Sequence, residues 1–302
     1  MALFDVLVDE AMRNQTELTA LRPVVEKEIL HHDILRELSA ADLLRKLTFI
    51  GGTCLRACYG SSRLSEDLDF TGGAHFKKAD LNRLKETLET RLQEKYEVPI
   101  NVTEPKAEKQ GNVDTWKLSV NTQPQRSDMP VQKIHLDICA VPSYQVVPRT
   151  IQNNYGINLG TESLIINSQT REEIFADKLV AFAMRPGRLK HRDLWDIAWL
   201  TQSGIVPAYD LLGAKLGDHG QSVQIFLDRI HQRLEILEHD GQQQKDFIFE
   251  ISRFIPPDRL TRTVRQEGFW PYLINTVTES ARKAQQHLEN GFGEQNRPLF
   301  PM

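Results

Sequence analysis

The chain has 302 residues, room for one large or two modest domains. Apolar residues make up 40% and charged residues 26%, which excludes a disordered or fibrous chain. A net charge of −4 excludes a protein that coats nucleic acid through an overall positive charge, so any RNA or DNA contact must come from a local patch.

The N-terminal stretch MALFDVLVDEAMRNQ carries acids early and lacks a basic leader, so it does not read as a signal peptide. From Leu3 to about Lys46 apolar residues recur at helical spacing (Leu21, Val24, Val25, Ile29, then Ile34, Leu35, Leu38), which predicts two helices. Leu47 to Ile50 is a short strand, Gly51-Gly52 a tight turn, Thr53 to Tyr59 a short helix, and Asp67 to Thr71 a second strand. A helix is expected from about Lys77 to Lys95, followed by strands at Val98 to Glu104, Val113 to Val120 and Val131 to Ala140. In the last of these, Val131, Lys133, His135 and Asp137 alternate with Gln132, Ile134, Leu136 and Ile138.

After Leu164 to Ile166 the pattern changes. Thr170 with Glu173 has the form of a capping box before the apolar-periodic run Ile174 to Met184, and about five helices are expected from there to Leu288. The tail from Gly291 reads as irregular. The predicted architecture is therefore an α/β (α+β) half, residues 1–168, with a mixed sheet, and a helical half, residues 169–302. No stretch approaches the roughly 20 apolar residues of a membrane helix. Three cysteines, Cys54, Cys58 and Cys139, are too few for a disulfide framework and suit a cytoplasmic location.

The run IGGTCLRACYGSSRLSEDLDF, from Ile50 to Phe70, holds the chemistry. In a strand, Asp67 and Asp69 project to one side while Leu68 and Phe70 point to the other. Two such carboxylates either form the solvated face of an edge strand or share a hard divalent cation, Mg²⁺ or Mn²⁺, that relieves their repulsion. Asp137, bracketed by Leu136 and Ile138, can join them across a sheet. Gly60-Ser61, just upstream, offers a small residue and backbone N–H groups to a triphosphate. Three carboxylates beside such a turn suit two-metal phosphoryl transfer.

The same run is similar to the signature of the AbiEii/MenT-type nucleotidyltransferase toxins, a branch of the polymerase-beta-like superfamily, over residues 49–70. The resemblance implies a polymerase-beta-like fold with Asp67, Asp69 and Asp137 as metal and catalytic acids, and Gly60, Ser61 and Arg63 at the phosphates. A second stretch, EEIFADKLVAFAMRPGRLKHRDLWDIAWL, resembles the family's lysine helix and Arg-Asp pair, with Lys178 as the lysine, Arg192 the arginine and Asp193 the aspartate. Lys178 is then expected to contact the triphosphate and Asp193 to orient it or bind nucleotide, in a cleft between the two halves. The implied reaction moves NMP from an NTP to an acceptor, the 3′ end of a tRNA, with growth arrest as the outcome and a cognate antitoxin as partner. A small-molecule or protein hydroxyl acceptor, or a non-catalytic nucleotide- or RNA-binding regulator, is the alternative.

Read from the residues alone, Lys178 lies in the apolar face of its helix and must either snorkel to solvent or face a buried anion. Asp196 is expected to pair with Arg192. Trp195 and Trp199 read as core anchors, Cys54 and Cys58 as packing residues, and His31-His32-Asp33 as facing solvent or a neighbouring helix. The segment Arg185 to Arg192 holds four Lys/Arg and no acid, and is either an electrostatic guide for a phosphate-bearing substrate or a solvated loop.

Overall fold

The computed structural model of the protein describes residues 3–106, 111–122 and 131–295, with side chains to residue 290. The chain divides into two units. One comprises Met1–Thr170 with Arg253–Asp258, the other Arg171–Ser252 with Arg259–Met302.

The first unit begins with helices α1 (Leu3–Asn14) and α2 (Arg22–Ala40), joined by a 3-10 turn at Thr16–Leu21. There follow β1 (Thr48–Ile50), α3 (Gly51–Tyr59), β2 (Leu68–Thr71), α4 (Leu84–Tyr96), β3 (Ile100–Thr103), β4 (Val113–Val120), β5 (Gln132–Cys139), β6 (Val146–Thr150) and β7 (Ile165–Gln169). The seven strands form one mixed sheet in the order β3-β4-β5-β2-β1-β7-β6. β2 runs parallel to β5 and β1 parallel to β7, while the other neighbouring pairs are antiparallel.

Alternation builds the core. Leu68 and Phe70 on β2, Ile134, Leu136 and Ile138 on β5, and Trp116 and Leu118 on β4 are all buried. α2 packs on β5 and α4, α4 on β3, and α3 on β1, β2 and β7. The residues between them in sequence point to the other side, which is where the acids stand. The segment His31-His32-Asp33, expected to face solvent or a neighbouring helix, is buried, and Asp33 faces α4. His31 bonds the Glu66 carbonyl, His32 the Thr161 hydroxyl, and Asp33 takes Arg36, Lys95 and the Tyr96 hydroxyl.

β6 carries no clear strand signal because its sequence, VVPRT, contains Pro148. An edge strand tolerates the missing N–H, and β6 is the sheet's outer strand beyond β7. The expected long helix from Lys77 resolves into a 3-10 turn at Lys78–Leu81 and α4.

The second unit contains α5 (Arg171–Met184), α6 (His191–Gln202), α7 (Leu212–Asp218), α8 (Val223–His239), α9 (Gln242–Ile251) and α11 (Phe269–Gln295), with α10 (Pro257–Arg262) entering from the Arg253–Asp258 segment. Among the described residues that is seven helices rather than about five. Pro257 supplies a start for α10 that the apolar period alone does not mark. The last helix also runs to Gln295, through the beginning of the tail expected to be irregular; residues 296–302 lie outside the described residues. α5 packs against α6, α7 and α8, and α11 against α6 and α8.

At the start of α5, Thr170 and Glu173 also reach residues distant in sequence. Thr170 donates to Gln145 Oε1 at 2.8 Å, and the buried Glu173 carboxylate takes Lys215 at 2.7 Å. Among the described residues no helix is long and apolar enough to cross a membrane.

Candidate active site

Parallel pairing of β2 with β5 sets Asp69 directly beside Asp137, one register step along from Leu68 beside Leu136. Both aspartates are partly exposed, on the face opposite the buried apolar residues. Thr115 on β4 is the antiparallel partner of Asp137, and its hydroxyl donates to Asp137 Oδ1 at 2.6 Å. That bond engages one of the two carboxylate oxygens of Asp137.

Asp67 lies just before β2, on the same side as Asp69 by alternation. Its Oδ1 accepts from the His135 backbone N–H at 3.2 Å and stands 3.2 Å from His135 Nδ1. Asp67, His135, Asp69, Asp137 and Thr115 therefore form one continuous polar strip. His135 was not singled out from the sequence; its place in the β5 alternation, two residues before Asp137, was the available signal.

The start of α3 meets this strip. Gly51 has φ +75°, and a Cβ there would fall 2.9 Å from Asp69 Oδ2, so only glycine lets the backbone pass so close to the carboxylate. Ile50 at the N-cap supplies no side-chain acceptor to the first N–H groups of α3. These donors at the positive end of the helix are a ready site for an anion. The pair Gly51-Gly52 reads as a mere turn in the sequence, yet it brings the helix start onto Asp69.

Gly60 and Ser61 lie at the opposite end of α3. Gly60 is the left-handed C-cap, and the N–H groups of Gly60 and Ser61 both go to the Leu55 carbonyl, the Ser61 bond at 2.9 Å. The pair closes the helix instead of offering donors outward. The Ser61 hydroxyl is fully buried and has no partner among the described residues.

Arg63 is also buried, 3% exposed, with its guanidinium against Gly52, where a Cβ would come within 2.1 Å of Nη2. It donates to the Leu64 carbonyl at 3.1 Å. Its charge thus lies inside the protein, against the start of α3.

The segment between α3 and β2 is held from below. Buried Glu28 accepts from the Ser65 N–H at 2.9 Å, Arg56 Nε at 3.1 Å and the Tyr155 hydroxyl at 2.5 Å. Arg56 in turn donates to the Ser61 carbonyl at 3.1 Å. Thr53 is hydrogen-bonded to the Ser65 hydroxyl at 2.6 Å and to the Asp67 carbonyl.

In the second unit, Lys178 faces a buried anion. Its ammonium lies 2.6 Å from Asp193 and 2.8 Å from Asp196. Asp193 also takes Arg185 at 3.1 Å. Burial alone would push the Asp193 carboxyl up; the charges of Lys178, Arg185 and Lys190 together outweigh it and hold the group well below its ordinary range. Asp196 thus pairs with Lys178, and Arg192 reaches Glu250 at 3.3 Å. Trp195 is buried with its ring 6.1 Å from that of Phe269, as a core anchor.

The Asp69–Asp137 pair offers hard carboxylate oxygens on a partly exposed face, a donor chemistry that fits Mg²⁺ or Mn²⁺. Among the described residues no three His, Cys, Asp or Glu side chains are gathered as a metal cage. Cys54 and Cys58 are buried free thiols, in keeping with packing roles.

Residues 33–272 match the family model described as the nucleotidyl transferase AbiEii toxin of type IV toxin–antitoxin systems. No curated protein matches at a significant level. Among solved structures, MenT4, a nucleotidyltransferase toxin from Mycobacterium tuberculosis, is similar with a TM-score of 0.56 and 14% identity, over 93% of this chain and 92% of MenT4. JHP933 from Helicobacter pylori has a TM-score of 0.45 and 18% identity, over 89% of this chain and 97% of JHP933. The likeness to MenT4 is one of fold. The family match spans most of the sequence, both the acidic strip and the Lys178 cluster included, and the chain belongs to the AbiEii nucleotidyltransferase toxin family.

Proposed function

We propose that the protein transfers a nucleoside monophosphate from an NTP to a hydroxyl at the 3′ end of an RNA, with tRNA as the acceptor class, and that it does so as a toxin restrained by a cognate antitoxin. The observation that carries this is the Asp69–Asp137 pair, in register on a partly exposed sheet face with the start of α3 against Asp69.

In this reading Asp69 and Asp137, with Asp67 at their side, hold the divalent metal. Mg²⁺ or Mn²⁺ bound there would neutralise phosphate charge and lower the cost of forming the pentavalent transition state. The N–H groups at the start of α3, rather than Gly60 and Ser61, are the donors for triphosphate oxygens. Thr115 fixes one oxygen of Asp137, which leaves the other to accept the proton of the attacking hydroxyl. The acceptor oxygen attacks the α-phosphorus, the bond to the β-phosphate bridging oxygen breaks, and pyrophosphate leaves with that electron pair. Lys178, by family resemblance, is assigned to triphosphate charge, with Asp193 orienting it; the short Lys178–Asp193 contact supports the second role.

The test supplies each α-labelled NTP in turn with Mg²⁺ and a total tRNA pool, to wild-type protein and to Asp69→Asn and Asp137→Asn, and reads the products on a denaturing gel. Label in RNA with wild type alone is expected. Equal labelling by the variants overturns the assignment of the acids, and label in protein or a small molecule but not in RNA overturns the acceptor.

A further inference from the structure

Within the second unit, the end of α5, the turn that follows it and α8 enclose an open cavity of about 380 Å³. Its lining includes Arg185, Pro186, Gly187, Arg229, Arg233 and Ile236, and among the described residues no acid lines it. Arg229 and Arg233 spend their hydrogen bonds on uncharged acceptors. Arg229 donates to the Met184 carbonyl at 3.2 Å, and Arg233 to the Gly187 carbonyl at 2.8 Å and the Arg185 carbonyl at 2.6 Å.

Neither guanidinium meets a carboxylate among the described residues, so two positive charges share one cavity without compensation. The carbonyl bonds fix where they stand. Arg185 adds a third charge. One side of it is held by Asp193, while its buried Nε has no partner among the described residues. Arg188, in the same turn, is exposed.

Like charges held together in this way cost free energy unless an anion offsets them. The Arg233 guanidinium feels it: burial and the neighbouring Arg229 both lower its proton affinity. A ligand that repays the cost carries negative oxygens in the geometry a guanidinium fork recognises, which is a phosphate. A metabolite carboxylate would meet the same charge, but an open, solvent-swept cavity of this kind suits a group presented on a longer chain.

We infer that this cavity binds a backbone phosphate of the RNA acceptor, held by Arg229 and Arg233 and remote in sequence from the acidic strip. The inference rests on the RNA-acceptor reading above. It makes α5 and α8 part of the acceptor's footing, with sequence-independent affinity.

The experiment measures tRNA binding by wild type, by Arg229→Gln/Arg233→Gln and by Ile236→Glu across a salt series, with NTP affinity measured in parallel. Ile236 is 39% exposed at the cavity, so a glutamate there adds a repelling charge while every arginine bond is kept, and the test survives even if the double variant folds poorly. Both variants are expected to weaken tRNA binding by about tenfold or more at ~0.1 M salt, and the double variant to flatten the log–log salt slope by about one to two. NTP affinity stays unchanged. Variants that bind tRNA like wild type overturn this site while leaving the RNA reading intact. Loss of NTP affinity with RNA affinity retained reassigns the cavity to a free nucleotide and overturns the inference. Wild-type protein that binds no RNA overturns the acceptor reading and this site together.

Discussion

At the scale of single residues, the sharpest constraint is steric. Gly51 combines a left-handed φ of +75° with a position where a Cβ would come 2.9 Å from the Asp69 carboxylate. Gly51→Ala should therefore cost about 1–2 kcal/mol of stability from the backbone alone. It should cost far more in activity, because Asp69 must shift. Thermal melting and transfer rates of the same preparation separate the two, and a variant with full activity would show that the approach of α3 to Asp69 is incidental.

His32 gives a second residue-scale prediction. Burial holds its pKa down to about 4, against an ordinary 6.5. Between those values the unfolded chain binds the proton and the folded chain does not, so stability declines as pH falls from about 6.5 to about 4. His32→Gln should flatten that part of the unfolding free energy–pH curve. Identical slopes for the two proteins would mean that His32 is charged in the folded state.

At the scale of elements, the segment from Ser61 to Asp67 owes its course to Glu28, reached from α2. Glu28→Ala leaves Arg56 buried with its main carboxylate partner gone, which should cost about 3–5 kcal/mol. The double variant Glu28→Ala/Arg56→Ala should be less destabilised than the sum of the single changes, as expected for groups in one network. Strict additivity in urea unfolding would contradict the coupling.

How far the elements were legible follows from their physics. Period-two alternation marked β4 and β5 well, because each hides one face and wets the other. It thereby also put Asp69 and Asp137 on a common side. Pro148 concealed β6, and partners distant in sequence stayed hidden: Glu173 and Asp177 share Lys215, about forty residues away, through ion contacts that no local pattern announces. Gly60-Ser61 was misleading for a related reason. A Gly-Ser pair signals a turn, but only the helix direction tells whether its N–H groups face a ligand or close a C-terminus.

At the scale of the whole molecule, membership of the AbiEii family agrees with two features that composition alone leaves open. The net charge of −4 does not oppose an RNA substrate if the positive charge is local, and the cavity of Arg185, Arg229 and Arg233 is such a concentration. The buried cluster of Lys178, Asp193 and Asp196 lies in the other unit from the acidic strip. The family match runs through both units.

The most direct measurement is the stoichiometry of transfer: pyrophosphate released and NMP incorporated, followed together for wild type and Asp69→Asn with the preferred NTP, Mg²⁺ and RNA. The account predicts one pyrophosphate for each NMP joined to the RNA 3′ end with wild type. For Asp69→Asn it predicts a loss of at least about a thousandfold, the several kcal/mol expected when a metal-binding acid is removed. Release of inorganic phosphate instead of pyrophosphate, or an Asp69→Asn rate equal to wild type, would contradict it.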